Sequence, residues 1–261
     1  MTTTRLGSHV PFSAITLALI GLSAVAWTGT VAWARSAGMG AMPGTMGMDL
    51  MAFVAMWSLM MTAMMLPSVG PFVGVYQRTI TEFRLPRLVG LGLGYLVVWA
   101  AVGVGAFAIA TWFGDLAAGH ETATQVVAVA TFCLVGVYQL SPLKSRCLSH
   151  CRTPVGHMLH YLGFQGTLRD VRAGFSHGWY CLGCCWALMV LMVAFGVMNI
   201  AAMVALTAII AIEKVWRHGE RFARIIGAAS IAYAVALIFV PELAPGLDPG
   251  GLMPMQDMSA A

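Results

Sequence analysis

"AGFSHGWYCLGCCWALMVLMVAFGVMNIAAMVALTAIIAI", residues 173–212, carries no Asp, Glu, Lys or Arg. A bilayer crossing takes about 20 apolar residues, so this run is too long for one crossing and long enough for two. It reads as a helical hairpin that turns near Gly196-Val197-Met198-Asn199. Four apolar runs precede it. The first spans about Val10 to Ala34, and the second lies between Asp49 and Arg78, with Pro67 as a kink or an end. The third lies between Arg87 and Asp115, and the fourth between Glu121 and Lys144. One more follows, Ile225 to Pro241. The sequence therefore predicts an all-α, polytopic transmembrane helical bundle of about seven spans, forming a single domain over residues 1–261.

Composition agrees. Charged residues are 9% of the 261 and hydrophobic residues 59%, and the mean hydropathy is +0.83. Soluble domains carry about 25% charged residues. The net charge of +4 is no mark of nucleic-acid binding, because the basic residues sit in short segments between apolar runs. With the N-terminus inside and the C-terminus outside, thirteen of the fourteen Lys and Arg fall on the inner side, and only Arg35 falls outside. That is the asymmetry the positive-inside rule requires, and it orients a multi-pass membrane protein with its basic segments on the inner side. Ala32-Trp33-Ala34 resembles a signal-peptide cleavage site. The apolar run before it is longer than the ~7–15 residues of a signal core, so it reads as a retained helix; cleavage would leave six spans. Gly90-x-x-x-Gly94 fits the small-residue pattern of close membrane-helix packing. No nucleotide loop, hydrolase elbow or zincin motif is present in the sequence.

Sulfur is concentrated. Ten of the nineteen methionines lie between Met39 and Met65. An outer loop, residues 35–49, holds Met39, Met42, Met46 and Met48, and an outer tail, residues 242–261, holds Met253, Met255 and Met258. In the second span Met56, Met60 and Met64 stack at i, i+4 and i+8, flanked by Met61 and Met65. Thioethers and thiolates are soft ligands that select Cu(I) over harder ions. Such a helix also fits ordinary packing, since Met fills irregular apolar gaps. In the outer loop, Gly, Ala and Pro surround the methionines and leave little core for them to fill.

Five of the six cysteines fall between Cys147 and Cys185, on the predicted inner side. "CLSHC" supplies Cys147, His150 and Cys151 within a basic inner loop, residues 142–175. His177, Cys181 and Cys184 then share one helix face at i, i+4 and i+7, with Cys185 at its edge and Met192 farther along it. Thiolates with an imidazole suit Cu(I), with Zn(II) as the alternative, and a reducing cytosol keeps such thiols unpaired. Cys133 reads as a buried hydrophobe, His9, His120 and His218 as interfacial residues, and His157 and His160 as facing headgroups.

"MWSLMMTAMMLPS" (56–68), "SPLKSRCLSHCRTP" (141–154), "GFSHGWYCLGCCWALMVLMVAFGVMN" (174–199) and "EKVWRHG" (213–219) together resemble a bacterial family of unknown function described as predicted metal-binding integral membrane proteins. The resemblance implies a polytopic membrane protein with Cys, His and Met ligands. Its motif positions here are Met60, Met61, Met64, Met65 and Pro67, Cys147 and Cys151, His177, Cys181, Cys184 and Cys185, and Glu213 with Lys214.

Three functions remain open on the sequence. The favoured one binds Cu(I) through outer methionines and hands it inward to Cys181, Cys184 and Cys185, with Cys147, His150 and Cys151, for release to a cytosolic or periplasmic metal chaperone. A membrane thiol oxidoreductase is the second, since Cys-x-x-Cys at a helix start favours reactive thiols. The third is a non-catalytic subunit of a larger complex. Glu213 and Lys214 serve either a functional site or an interfacial anchor.

Overall fold

The computed structural model describes residues 14–36, 44–80, 82–119, 121–153, 158 and 160–240. Its elements are α1 (Ala14–Ser36), α2 (Leu50–Tyr76), a 3-10 turn (Gln77–Thr79), α3 (Arg84–Gly119), α4 (Glu121–Leu140), α5 (Pro142–Arg152), α6 (Arg169–Ala194), α7 (Ile200–Val215) and α8 (Gly219–Phe239). No strand occurs among the described residues. Six of the helices are long and apolar enough to cross a membrane: α1, α2, α3, α4, α6 and α8. This is the build of a multi-pass membrane protein.

The break inside the long apolar stretch falls where the sequence puts it. Gly196 takes the left-handed φ of +88°, a conformation glycine adopts without steric cost. Asn199 then ties the two helices together. Its Oδ1 accepts from the Ala202 N–H (3.1 Å) to cap α7, and its Nδ2 donates to the Phe195 carbonyl (3.1 Å) beyond the end of α6. The seventh apolar helix is short. With 16 residues, α7 is about 24 Å long, less than the ~30 Å hydrocarbon thickness. Its last turn carries Glu213 and Lys214, and both are buried in the protein interior instead of extending toward headgroups.

Pro67 does not end α2; the helix runs through Pro67 and Pro71. A proline inside a helix leaves the carbonyl four residues earlier without its N–H partner. Here that carbonyl belongs to Ala63, and the Ser23 hydroxyl of α1 donates to it at 2.7 Å. A neighbouring helix thus satisfies the backbone group that the proline strands, as lipid requires. It also fixes α1 on α2, along a face of small buried residues, Ser23, Ala26, Thr30 and Ala34.

The predicted close packing at Gly90 and Gly94 is found, and its partner is α6. A Cβ on Gly94 would run into the Val171 carbonyl oxygen, and one on Gly174 into that of Leu91. The two backbones therefore touch, which holds the start of α6 against α3. At the same end Arg87 pairs with Asp170 (Nη2–Oδ1 3.1 Å), which also accepts from the Tyr76 hydroxyl at 2.7 Å. One carboxylate of α6 thus joins α2 and α3. The segment 142–175 is substantially ordered helix: α5 packs on α6, and residues from Arg169 onward belong to α6. Replacing Gly174 with valine must push α3 and α6 apart. The expected cost is about 2 kcal/mol or more, read as a lower unfolding temperature in detergent, whereas Gly21→Val, where a Cβ meets open space, should leave it unchanged.

Candidate metal centre

The interior face of α6 carries the thiols. Cys181, Cys184 and Cys185 are each at most 1% exposed, and their three Sγ atoms all lie within 4.8 Å of one another. The helix itself gathers them: residues four and three apart share a face. The Cys184 and Cys185 thiols both donate to the Cys181 carbonyl, at 3.1 and 2.9 Å. That back-bonding to the preceding turn turns both sulfurs to the same side. All cysteines of the described residues are free thiols. Cys151, on α5, reaches the group from across the interior, its Sγ 3.8 Å from that of Cys184. This contact, followed by burial, pushes the Cys151 thiol pKa well up.

The other sequence candidates are placed differently. Cys147 is turned toward the opposite side of α6. Its sulfur would be only 2.8 Å from a Cβ on Gly183, so that glycine is what admits it. It opens onto an apolar cavity of about 500 Å³ that Trp57, Tyr138, Trp179 and Trp186 also line. Burial raises its pKa. His150 accepts or donates a hydrogen bond with the Tyr161 hydroxyl (2.8 Å) and stacks on Tyr180 with ring centroids 3.5 Å apart. His177 lies outside the sulfur group. Its ring stacks on Phe72 at 3.8 Å, and its buried Nδ1 has no hydrogen-bond partner among the described residues. Met56, Met60, Met61, Met64 and Met65 are all buried within α2, inside the protein and not against lipid. Met46 and Met48 are half-buried and pack against the core, a correction to the reading of that loop as water-facing. Cys133 is half-buried. His9, His120, His157, Met39, Met42, Met253, Met255 and Met258 lie outside the described residues.

A lysine faces the thiols. Lys214 is buried, and its Nζ lies 3.1 Å from Cys181 Sγ and 3.2 Å from Ser68 Oγ. Cys181 Sγ also lies 3.2 Å from the Tyr95 hydroxyl. Among the described residues no carboxylate is within ion-pair distance of Lys214. Its neighbour Glu213 pairs instead with Lys144 (2.7 Å) and accepts from Gln139 Nε2 (2.8 Å). Lys144 in turn donates to the Cys184 carbonyl. A buried charge is expensive unless paired. Lys144 and Glu213 neutralise one another, which leaves Lys214 with sulfur as its counterpart. The sequence marked Glu213 and Lys214 as ionisable residues near membrane depth, but it gave no sign that Lys144, Tyr95 and Ser68 would join them. Those contacts span separations of tens of residues.

The burial differences predict a labelling order. A membrane-permeant maleimide applied to the metal-free protein in detergent should modify Cys147 and Cys133 before Cys181, Cys184 and Cys185, as read by mass spectrometry of peptides. Equal rates at all six thiols would contradict this packing.

The matched family model is that of PpoB2, described as a copper chaperone, and it covers residues 54–237. No curated protein and no solved structure is similar enough to this chain to count as a match. The matched segment contains α2 from its second turn to nearly the end of α8, and so every thiol and the buried charges around them; with most of its length matched, the chain belongs to the PpoB2 copper chaperone family.

Proposed function

We propose that this protein is a copper chaperone of the membrane, which receives Cu(I) on thioethers and holds it at Cys181, Cys184 and Cys185 for transfer to a partner. The carrying observation is the set of three buried sulfurs within 4.8 Å of one another. Three thiolates at this spacing suit a soft ion, and the family description supports copper. Cys151, within sulfur contact of Cys184, is placed to serve as an exchange ligand during transfer. The charge requirement fits. With two of the three cysteines bound as thiolates and the third kept as a thiol, the Cu(I) site carries one net negative charge, which Lys214 balances inside a low-dielectric interior. Three thiolates around Zn(II) leave the same charge, so it is the buried methionines of α2 that favour copper: thioether sulfur is a Cu(I) ligand, and zinc takes Cys, His and carboxylate.

The setting is the bacterial inner membrane, with the N-terminus inside and the outer loop and tail, with Met39, Met42, Met253, Met255 and Met258, on the outside. Copper would enter there, pass along α2 and reach the thiols near the inner face, where a cytosolic chaperone is the natural acceptor. The path runs from weaker thioether to stronger thiolate ligands and needs no nucleotide.

Metal content tests the reading. Protein purified anaerobically after growth with copper and zinc should carry about one Cu per chain, lost in Cys181→Ser/Cys184→Ser/Cys185→Ser. Zinc in place of copper would sink the copper assignment, and a reversible disulfide without metal would favour the oxidoreductase. Lys214→Met removes the counter-charge and keeps the side chain's length. It should weaken Cu(I) binding roughly tenfold to a hundredfold, the range for outer partners of metal ligands, in a competition titration with a chromophoric Cu(I) chelator. Unchanged affinity would remove Lys214 from the site.

A further inference from the structure

We infer a second soft-metal site, built by the thioethers of Met56, Met192 and Met203, in the outer half of the bundle. It rests on the relative register of three helices. On α2 and α6, which run antiparallel, Phe72 stacks on His177, and Lys214 touches both Ser68 and Cys181. Those contacts fix which turns face one another. Moving outward, Met64 and Met65 come level with Cys184 and Cys185. Met60 and Met61 come level with Leu188 and Met189, and Met56 and Trp57 with Met192. Helix α7 runs parallel to α2, and Lys214 against Ser68 sets its register too. Eleven residues outward from Lys214 stands Met203, level with Trp57.

The three methionines also point the right way. Met192 shares the α6 face of His177, Cys181, Cys184 and Leu188, all buried. Met203 shares the α7 face of Leu206, Ile210 and Lys214, also buried. Met56 continues the α2 row of Met60 and Met64. Each of the three is 0% exposed. Three fully enclosed thioethers from three helices thus come to one depth, about 10–17 Å outward from the thiols at 1.5 Å per residue. Thioether sulfur is neutral and binds without losing a proton, so such a site takes a soft monovalent cation, Cu(I) or Ag(I), in an apolar surrounding. Met60 and Met61 fill the turn between the two sites, and Met64 and Met65 lie level with Cys184 and Cys185. The inference deepens the copper reading, since this site would load the thiol cluster, but it stands on its own residues.

The test uses the full-length chain carrying Cys181→Ser/Cys184→Ser/Cys185→Ser, so that the thiol cluster cannot answer for the thioethers. Ag(I) serves as the redox-inert probe, in detergent, with methyl-labelled methionine observed by NMR and bound silver counted after dialysis. The expected result is that Ag(I) shifts the methyl signals of Met56, Met192 and Met203, and that adding Met56→Leu/Met192→Leu/Met203→Leu removes about one Ag(I) per chain. Leucine for methionine conserves volume, so the unfolding temperature should change little. Should the combined variant fail to fold, the methyl shifts of the chain with its methionines intact decide alone. Unmoved signals for Met192 and Met203, or equal silver binding with and without the three leucines, would overturn the site. Either result would leave the thiol cluster's copper binding, measured in the unsubstituted chain, untouched.

Discussion

The arrangement of the thiols depends on a pair of charges that touches no sulfur. Lys144 and Glu213 meet 2.7 Å apart among side chains that are almost wholly enclosed. In an apolar interior neither charge survives alone, so each fixes the other. Gln139 on α4 donates to the carboxylate, and Lys144 on α5 also donates to the Cys184 carbonyl. Four helices, α4 to α7, are held together at the turn that carries the cysteines. Breaking such a pair from one side leaves a bare buried charge and costs about 3–5 kcal/mol, more than any single hydrogen bond nearby. The pair also determines what Lys214 can do. With Glu213 committed to Lys144, the next residue on α7 has sulfur and a serine hydroxyl as its partners among the described residues, and in the copper proposal its charge would balance a metal–thiolate complex.

The hairpin and the helix contacts were legible in the sequence because each rests on a local rule. A charge-free stretch twice the length of a crossing must turn, and Gly196 and Asn199 are residues that make turns and caps. Gly90 and Gly94 announced a close approach, though not that it would be to Val171 of α6, with Gly174 set against Leu91 in return. Cys181, Cys184 and Cys185 fell together because three and four residues is one turn of helix. What the sequence left open is tertiary. Cys147 and Cys151 are four apart on α5 and look like a pair, yet only Cys151 has its sulfur against the cluster, and Cys147 turns to a cavity on the other side. His150, between them, is taken up by two tyrosines. Pro67 reads as a helix end until Ser23, forty-four residues earlier, appears at the carbonyl it exposes.

Burial recasts the methionines. Met side chains facing lipid would have been interchangeable with leucine, and those in a water-facing loop would have been free to wander. Here the α2 row lies inside the bundle, and half-buried Met46 and Met48 lead toward it. Packing alone accounts for their presence, since methionine adapts to irregular gaps, but packing does not require sulfur at successive turns of one helix, and the proposed soft-ion route would use it. The ligands then change character with depth, from neutral thioethers without nearby charge to thiols beside an ammonium group. On the proposed route an ion moving inward would exchange weak, proton-independent ligands for strong ones whose binding displaces protons, and this chemistry would give the path its direction. The same strength would trap the metal if the cluster were closed. On that reading Cys151, in contact with Cys184 and carried on the short helix α5, would offer the ligand by which the thiol cluster opens toward an acceptor.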